Sequence, residues 1–206
     1  MALTIYGIAR SRALRTLWMA KELGVAYRHE ETDFSDAGVG SAAFKRINPM
    51  GQIPAIEDDG LVLSESLAIN LYLARKYGGP LAPKDVTEEG RAFMWTLFAA
   101  TQLEGPGVDI LYNRLFKPEA ERDEAVAKRG IEAAQRPLGV LDQALNAGGG
   151  TLMGGRFTVA DVNVACALFY YRVAPEALAA HGAVRTFWEA VKARPAFQAA
   201  MALRGE

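Results

Sequence analysis

A proline stands where a strand should run. Between Ile53 and Ile56 the chain has the apolar bias of a β-strand, yet Pro54 sits inside it. Proline has no N–H to give to a strand ladder, so it belongs on an edge or at a cis bond in a sharp bend. In either arrangement the backbone edge beside it stays free, and an extended peptide can pair with the N–H and C=O of Ile53 by strand addition. The surrounding stretch from Asn48 to Leu73 reads as a turn, this strand, and a tight turn at Asp58-Asp59-Gly60. A second strand at Leu61 to Leu63 and a helix opening at Ser64-Glu65-Ser66 follow.

The start of that helix is the second constraint. Its apolar run, Leu67, Ile69, Leu71, Tyr72 and Leu73, begins directly after Ser66. Exposed N–H groups and a positive dipole end suit a helix start to a carboxylate, with the Ser66 hydroxyl as a further donor. Glu65 is placed to meet an ammonium group. The competing reading is a serine that merely caps the helix.

Together, Gly51-Gln52-Ile53-Pro54 and Glu65-Ser66-Leu67-Ala68-Ile69 resemble the glutathione-binding signature of the cytosolic glutathione transferases, pointing to a serine-type bacterial member. The resemblance implies that Pro54 is cis, that Ile53 pairs with the cysteinyl backbone of glutathione, and that Glu65 and Ser66 hold its γ-glutamyl end. It also implies a homodimer.

Composition agrees with a globular protein. Half of the 206 residues are hydrophobic, and 23 Lys+Arg against 24 Asp+Glu leave a net charge of −1. Such a balance gives no electrostatic reason to expect nucleic acid or an anionic membrane as the main partner. No run approaches the ~18 apolar residues of a membrane span, and the start of the chain lacks a basic segment followed by an apolar one. A cytoplasmic location is the expectation. Cys166, the single cysteine, has Val162, Val164, Ala165 and Leu168 around it and reads as a buried structural residue.

In chain order, Leu3 to Gly7 is a strand, Arg12 to Leu23 a helix stopped by Gly24, and Ala26 to Glu31 a second strand. This β-α-β opening favours a parallel pair. A short helix over Ser41 to Ile47 and the later hairpin complete the order β-α-β-α-β-β-α. The expected fold class is therefore an α+β thioredoxin-like N-terminal domain, residues 1–79, followed after a linker at 80–89 by an all-α domain, 90–206. Within the second domain, Gly105-Pro106-Gly107 should kink or break the helical run Arg91 to Phe116, and Pro137 should kink the helix Glu119 to Asn146. Thr158 with Asp161 forms a Ser/Thr-x-x-Asp variant of the capping box, read as structural. Pro195 suits the first turn of the last helix.

A free thiol with pKa of roughly 8.5 is only slightly ionised at neutral pH, and a good donor lowers that value. Ser11, just before the first helix, is the candidate catalytic donor to a glutathione thiolate bound along Ile53. Tyr6, at the end of the first strand, is the competing donor. Gln52 is a further candidate contact for the tripeptide and Lys45 a candidate partner for its glycyl carboxylate. Trp95, Tyr112, Arg114 and Phe116 are candidates for a cleft that takes an electrophile, with ordinary core packing as the alternative. His29 and His181 have no cysteine cluster for a metal site, and Gly148 to Gly155 lacks the Lys-Ser/Thr of a phosphate loop.

The implied function is a glutathione transferase that uses glutathione as cosubstrate, needs no metal, and attacks a small electrophile. Glutathione-dependent peroxidase or disulfide reductase, cis-trans isomerase, and a non-catalytic glutathione or hydrophobic-ligand binder are the alternatives.

Overall fold

A computed structural model describes residues 3–205; Met1 and Ala2, at the start of the stretch expected to hold no signal segment, and Glu206 lie outside the described residues. The chain forms two compact units. One runs to Ala82 and takes back the chain from Ala193, and the other is Pro83–Lys192.

The first unit contains β1 (Leu3–Tyr6), α1 (Ala13–Leu23), β2 (Tyr27–Glu30), α2 (Ala42–Ile47), β3 (Ala55–Asp58), β4 (Leu61–Ser64) and α3 (Ser66–Tyr77). Its four strands lie in the order β2-β1-β3-β4. β1 and β2 are parallel, as the β-α-β opening predicts, whereas β3 is antiparallel to both β1 and β4. Leu3 and Ile5 of β1, Ile56 of β3, Leu17 of α1 and Ile69 and Leu73 of α3 fill the core. This is the thioredoxin-like α+β arrangement. Asp58 ties the β3–β4 turn to α3 by accepting from the hydroxyls of Tyr72 and Tyr77 and pairing with Lys76 at 2.8 Å.

In the stretch around Pro54 and Ser66 two boundaries differ from the expectation. Pro54 stands immediately ahead of β3 rather than inside it, because the ladder starts at the first residue with an N–H to contribute. Ser64 closes β4, and α3 begins two residues later at Ser66.

The second unit is helical among the described residues: α4 (Val86–Phe98), α5 (Glu104–Leu111), α6 (Glu124–Ala147), α7 (Val159–Leu168) and α8 (Gly182–Lys192). Gly105-Pro106-Gly107 falls in the first turn of α5, and the wider turn Ala99–Leu103 directly precedes it. The helical path is thus widened rather than broken, since a π-type turn accommodates the missing proline N–H and its bulky ring. The buried Tyr171 hydroxyl donates to the Leu103 carbonyl at 2.8 Å. Gly107 permits this approach, because a Cβ there would lie 2.9 Å from both Tyr170 and Tyr171. Pro137 lies inside α6, which continues on both sides of it.

The division at the C-terminus also differs from the expected domains. α9 (Pro195–Met201) belongs with the first unit instead of the helical one. Phe197 packs edge-on against Trp18 of α1 with ring centroids 5.1 Å apart, and Arg194 makes two 2.6 Å bonds to Glu22. The expected linker 80–89 is itself partly helical, since α4 starts at Val86.

Candidate functional site

Strand pairing brings three segments to one end of the sheet. Ala55 pairs with Tyr6 on one side and Ser64 on the other. The loop that follows Tyr6, the Ile53-Pro54 segment that precedes Ala55, and the Glu65-Ser66 segment that follows Ser64 are therefore neighbours. Gly7 makes the first junction tight: at φ 128° a Cβ would meet Ala13 at 2.8 Å and Ile53 at 2.9 Å. A bond of 3.2 Å from Arg15 of α1 to Ser66 Oγ makes the second.

The Ile53–Pro54 peptide bond is cis. The Ile53 side chain is buried with Phe44 and Ala55, against Tyr6, Ile8, Val39 and Ile47. Anchored in this way, Ile53 has a backbone N–H and C=O that make no backbone hydrogen bond among the described residues. Asn48 braces the turn before it, donating to the Gln52 carbonyl at 2.7 Å and accepting from the Met50 N–H at 3.1 Å. The buried Asn48 escaped the sequence reading, although Asn-Pro before a turn is a signal for this bracing.

The α3 start is unusual. Glu65 has φ 69°, a left-handed value that a side chain bearing a Cβ rarely adopts, and makes no side-chain cap. Strain of this kind costs on the order of 1–3 kcal/mol and concentrates at functional sites. The Glu65 side chain is exposed, and Ser66 is buried with its hydroxyl accepting from Arg15. Neither serine caps the helix, so the plain capping alternative does not describe this turn.

Ser11 occupies the loop before α1. Its hydroxyl donates to the Ile8 carbonyl at 2.7 Å and accepts from the Ala13 N–H at 3.0 Å. Rotation about Cβ–Oγ frees the proton for another acceptor while the Ala13 bond persists, and that bond polarises the hydroxyl as a donor. The neighbouring Arg10 fastens the loop from the other side by donating to the Arg204 carbonyl at 2.9 Å. Tyr6 is engaged elsewhere: its hydroxyl donates to Glu57 at 3.2 Å, and burial together with the Glu57 charge pushes its pKa up, making it a poorer acid.

Gln52 is exposed in the bend before Ile53. Lys45 Cε comes within 3.8 Å of where a Gly51 Cβ would stand, next to the same bend. Of the cleft candidates in the second unit, Trp95 is buried against Phe98, whereas Tyr112 and Phe116 are half exposed and pack on each other. Arg114 is held by Glu124 and Glu176, which makes it a structural tie. The reading of the sequence also missed Arg15: within the basic stretch Arg10 to Arg15 it looks solvent-facing, yet it is only 6% exposed.

A family model described as "Glutathione S-transferase, N-terminal domain" matches residues 1–75, and one described as "Glutathione S-transferase, C-terminal domain" matches residues 107–195. The sequence is 32% identical to glutathione S-transferase 3 of Zea mays over 209 residues, covering 97% of this chain and 93% of that protein. The chain belongs to the glutathione S-transferase family. Among solved glutathione S-transferases, the I enzyme bound with lactoylglutathione superposes with a TM-score of 0.89 at 28% identity, covering 98% of this chain and 100% of the other. The theta class enzyme of Xanthomonas axonopodis pv. citri, with glutathione bound, gives 0.83 at 29% identity, covering 97% and 96%.

Proposed function

We infer that this glutathione transferase holds its tripeptide at the end of the sheet where the three segments meet. The cysteinyl backbone pairs with Ile53, and the γ-glutamyl end lies against Glu65 and Ser66. Gln52 contacts the peptide, and Ser11 donates to the thiolate. The observation that carries this reading is the convergence of an unladdered Ile53, an uncapped α3 start and the Ser11 loop around Ala55.

In mechanism, each unit by which the thiol pKa falls corresponds to about 1.4 kcal/mol of preference for the thiolate. Ser11 supplies that preference by turning its proton from the Ile8 carbonyl to sulfur, still held in register by Ala13. The thiolate attacks the electrophilic atom of a small acceptor, the new bond forming to sulfur as the leaving group or displaced electron pair departs. Glu65 answers the α-ammonium and Ser66 the α-carboxylate, fixing the peptide so that the sulfur reaches Ser11. The serine-type assignment rests on Ser11.

We further propose a cytoplasmic homodimer. No helix among the described residues is long and apolar enough to cross a membrane. α4 leaves Phe93, Met94 and Leu97 exposed at helical spacing, and Met50 in the first unit is 75% exposed, the kind of apolar surface a second copy covers.

Ser11→Ala is the test. A pH titration of bound glutathione should show the thiol pKa rising, and turnover with an aryl halide should fall about ten-fold or more, the scale of losing one donor to a developing anion. An unchanged titration in Ser11→Ala, with loss of the thiolate in Tyr6→Phe, transfers the role to Tyr6.

A further inference from the structure

Arg15 is a buried cation on α1 whose guanidinium reaches the first residue of α3. It lies four residues after Ser11, one helical turn along the chain, so the segment that carries the thiolate donor also carries this charge. Ser66 is not its sole contact. The bond to Ser66 nevertheless has a direction. A guanidinium donates and cannot accept, so Ser66 Oγ must be the acceptor at 3.2 Å. One lone pair of the hydroxyl is thereby fixed, and its single proton is turned away from Arg15. No acceptor for that proton occurs among the described residues.

We propose that Arg15 is a positioning residue for glutathione: by donating to Ser66 Oγ it aims the Ser66 proton at the γ-glutamyl carboxylate and places a buried positive charge behind that anion. This rests on the reading of Ser66 as the γ-glutamyl contact and adds the residue that makes the contact directional. A free serine hydroxyl samples several rotamers, and part of any bond it forms is lost to fixing one of them. Arg15 removes that freedom before the ligand arrives. Its planar, permanently charged fork does this in a way that a flexible ammonium does not. Both ends of the peptide then depend on the segment Ser11 to Arg15, the thiol through Ser11 in the loop and the carboxylate through Arg15 in α1.

The test uses the full-length protein and calorimetric titration with two peptides, glutathione and 4-aminobutyryl-Cys-Gly, which lacks the γ-glutamyl α-carboxylate. Arg15→Gln should weaken glutathione about ten-fold or more, the scale of a bond to a charged group, and change the analogue less than about two-fold. In a Ser66→Ala background the same replacement should cost at most about three-fold, because its route to the ligand has gone. Should Arg15→Gln not fold, Arg15→Lys keeps the charge and bulk and should lose several-fold for glutathione alone. Equal losses for both peptides, or full additivity with Ser66→Ala, overturn the proposal and leave Arg15 a purely structural residue. Unchanged glutathione affinity in Ser66→Ala is a different failure, which removes the γ-glutamyl contact itself and this inference with it.

Discussion

Two helix starts in this chain carry similar residues and end in opposite states. At α7 the hydroxyl of Thr158 accepts from the Ala160 N–H, and Asp161 accepts from the Thr158 N–H, the Thr158 hydroxyl and the Leu152 N–H. Asp161 is fully buried, and that burial pushes its pKa up against the pull of these bonds. At α3 a hydroxyl residue and an acidic residue again stand at the helix start, here as neighbours, but Glu65 is exposed, left-handed and caps nothing. A helix start closed by its own side chains contributes to folding; one left open keeps its donors for a ligand. α4 falls on the closed side, with Asp85 accepting from the Glu88 N–H and Glu88 accepting from the Lys84 N–H and pairing with Arg156.

The largest expected effect tests the closed start. Asp161→Ala orphans three buried donors and should destabilise the protein by about 3 kcal/mol or more, read from a denaturant midpoint. A loss below about 1 kcal/mol would mean that water replaces the carboxylate and that the contrast with α3 is illusory. Ser66→Ala should shift the balance, weakening glutathione by about 1.5–3 kcal/mol while costing the fold less than Asp161→Ala does. It takes one acceptor from Arg15, which has other contacts, instead of orphaning three buried donors. Unaltered calorimetric affinity would count against the open start as a binding element.

Glu65→Gly sharpens the comparison. Glycine tolerates positive φ, so relief of strain should raise stability by about 1 kcal/mol even as glutathione affinity falls. If stability drops and affinity holds, the left-handed turn is not a cost accepted for binding. The smallest effect concerns pH. The Lys84 N–H, supported by the Arg156 guanidinium, holds the Glu88 carboxyl below its usual range. A depressed folded pKa contributes stability above the unfolded value, roughly 4.3, and loses it as pH falls through that value toward the folded one. Thermal midpoints of Glu88→Gln should therefore slope less steeply with acid below about pH 5 than those of the parent.

Much of this was legible because it is local. The stop at Gly24 and the Thr158–Asp161 box are set by residues within a few positions of one another. The signature around Pro54 and Ser66 is local in the same way, each half lying within a few residues, and strand pairing brings the two halves to one end of the sheet. What escaped depends on distant partners. Nothing near Arg15 in sequence announces Ser66, and nothing near Pro195 announces Trp18 and Glu22. Whether Gly105-Pro106-Gly107 kinks or breaks the helical run is not readable locally either, since the wider turn ahead and Tyr171, far along the chain, decide it.

The return of the last helix to the first unit carries a consequence for biosynthesis. Arg10 and the Arg204 carbonyl that it grips are 194 positions apart. A ribosome at ~5–20 residues per second exposes the Ser11 loop many seconds before that carbonyl exists. The nascent thioredoxin-like half must therefore wait, with Trp18 and Glu22 uncovered, until the entire helical unit has been made, and a chain stalled before Arg194 leaves that flank open to chaperones.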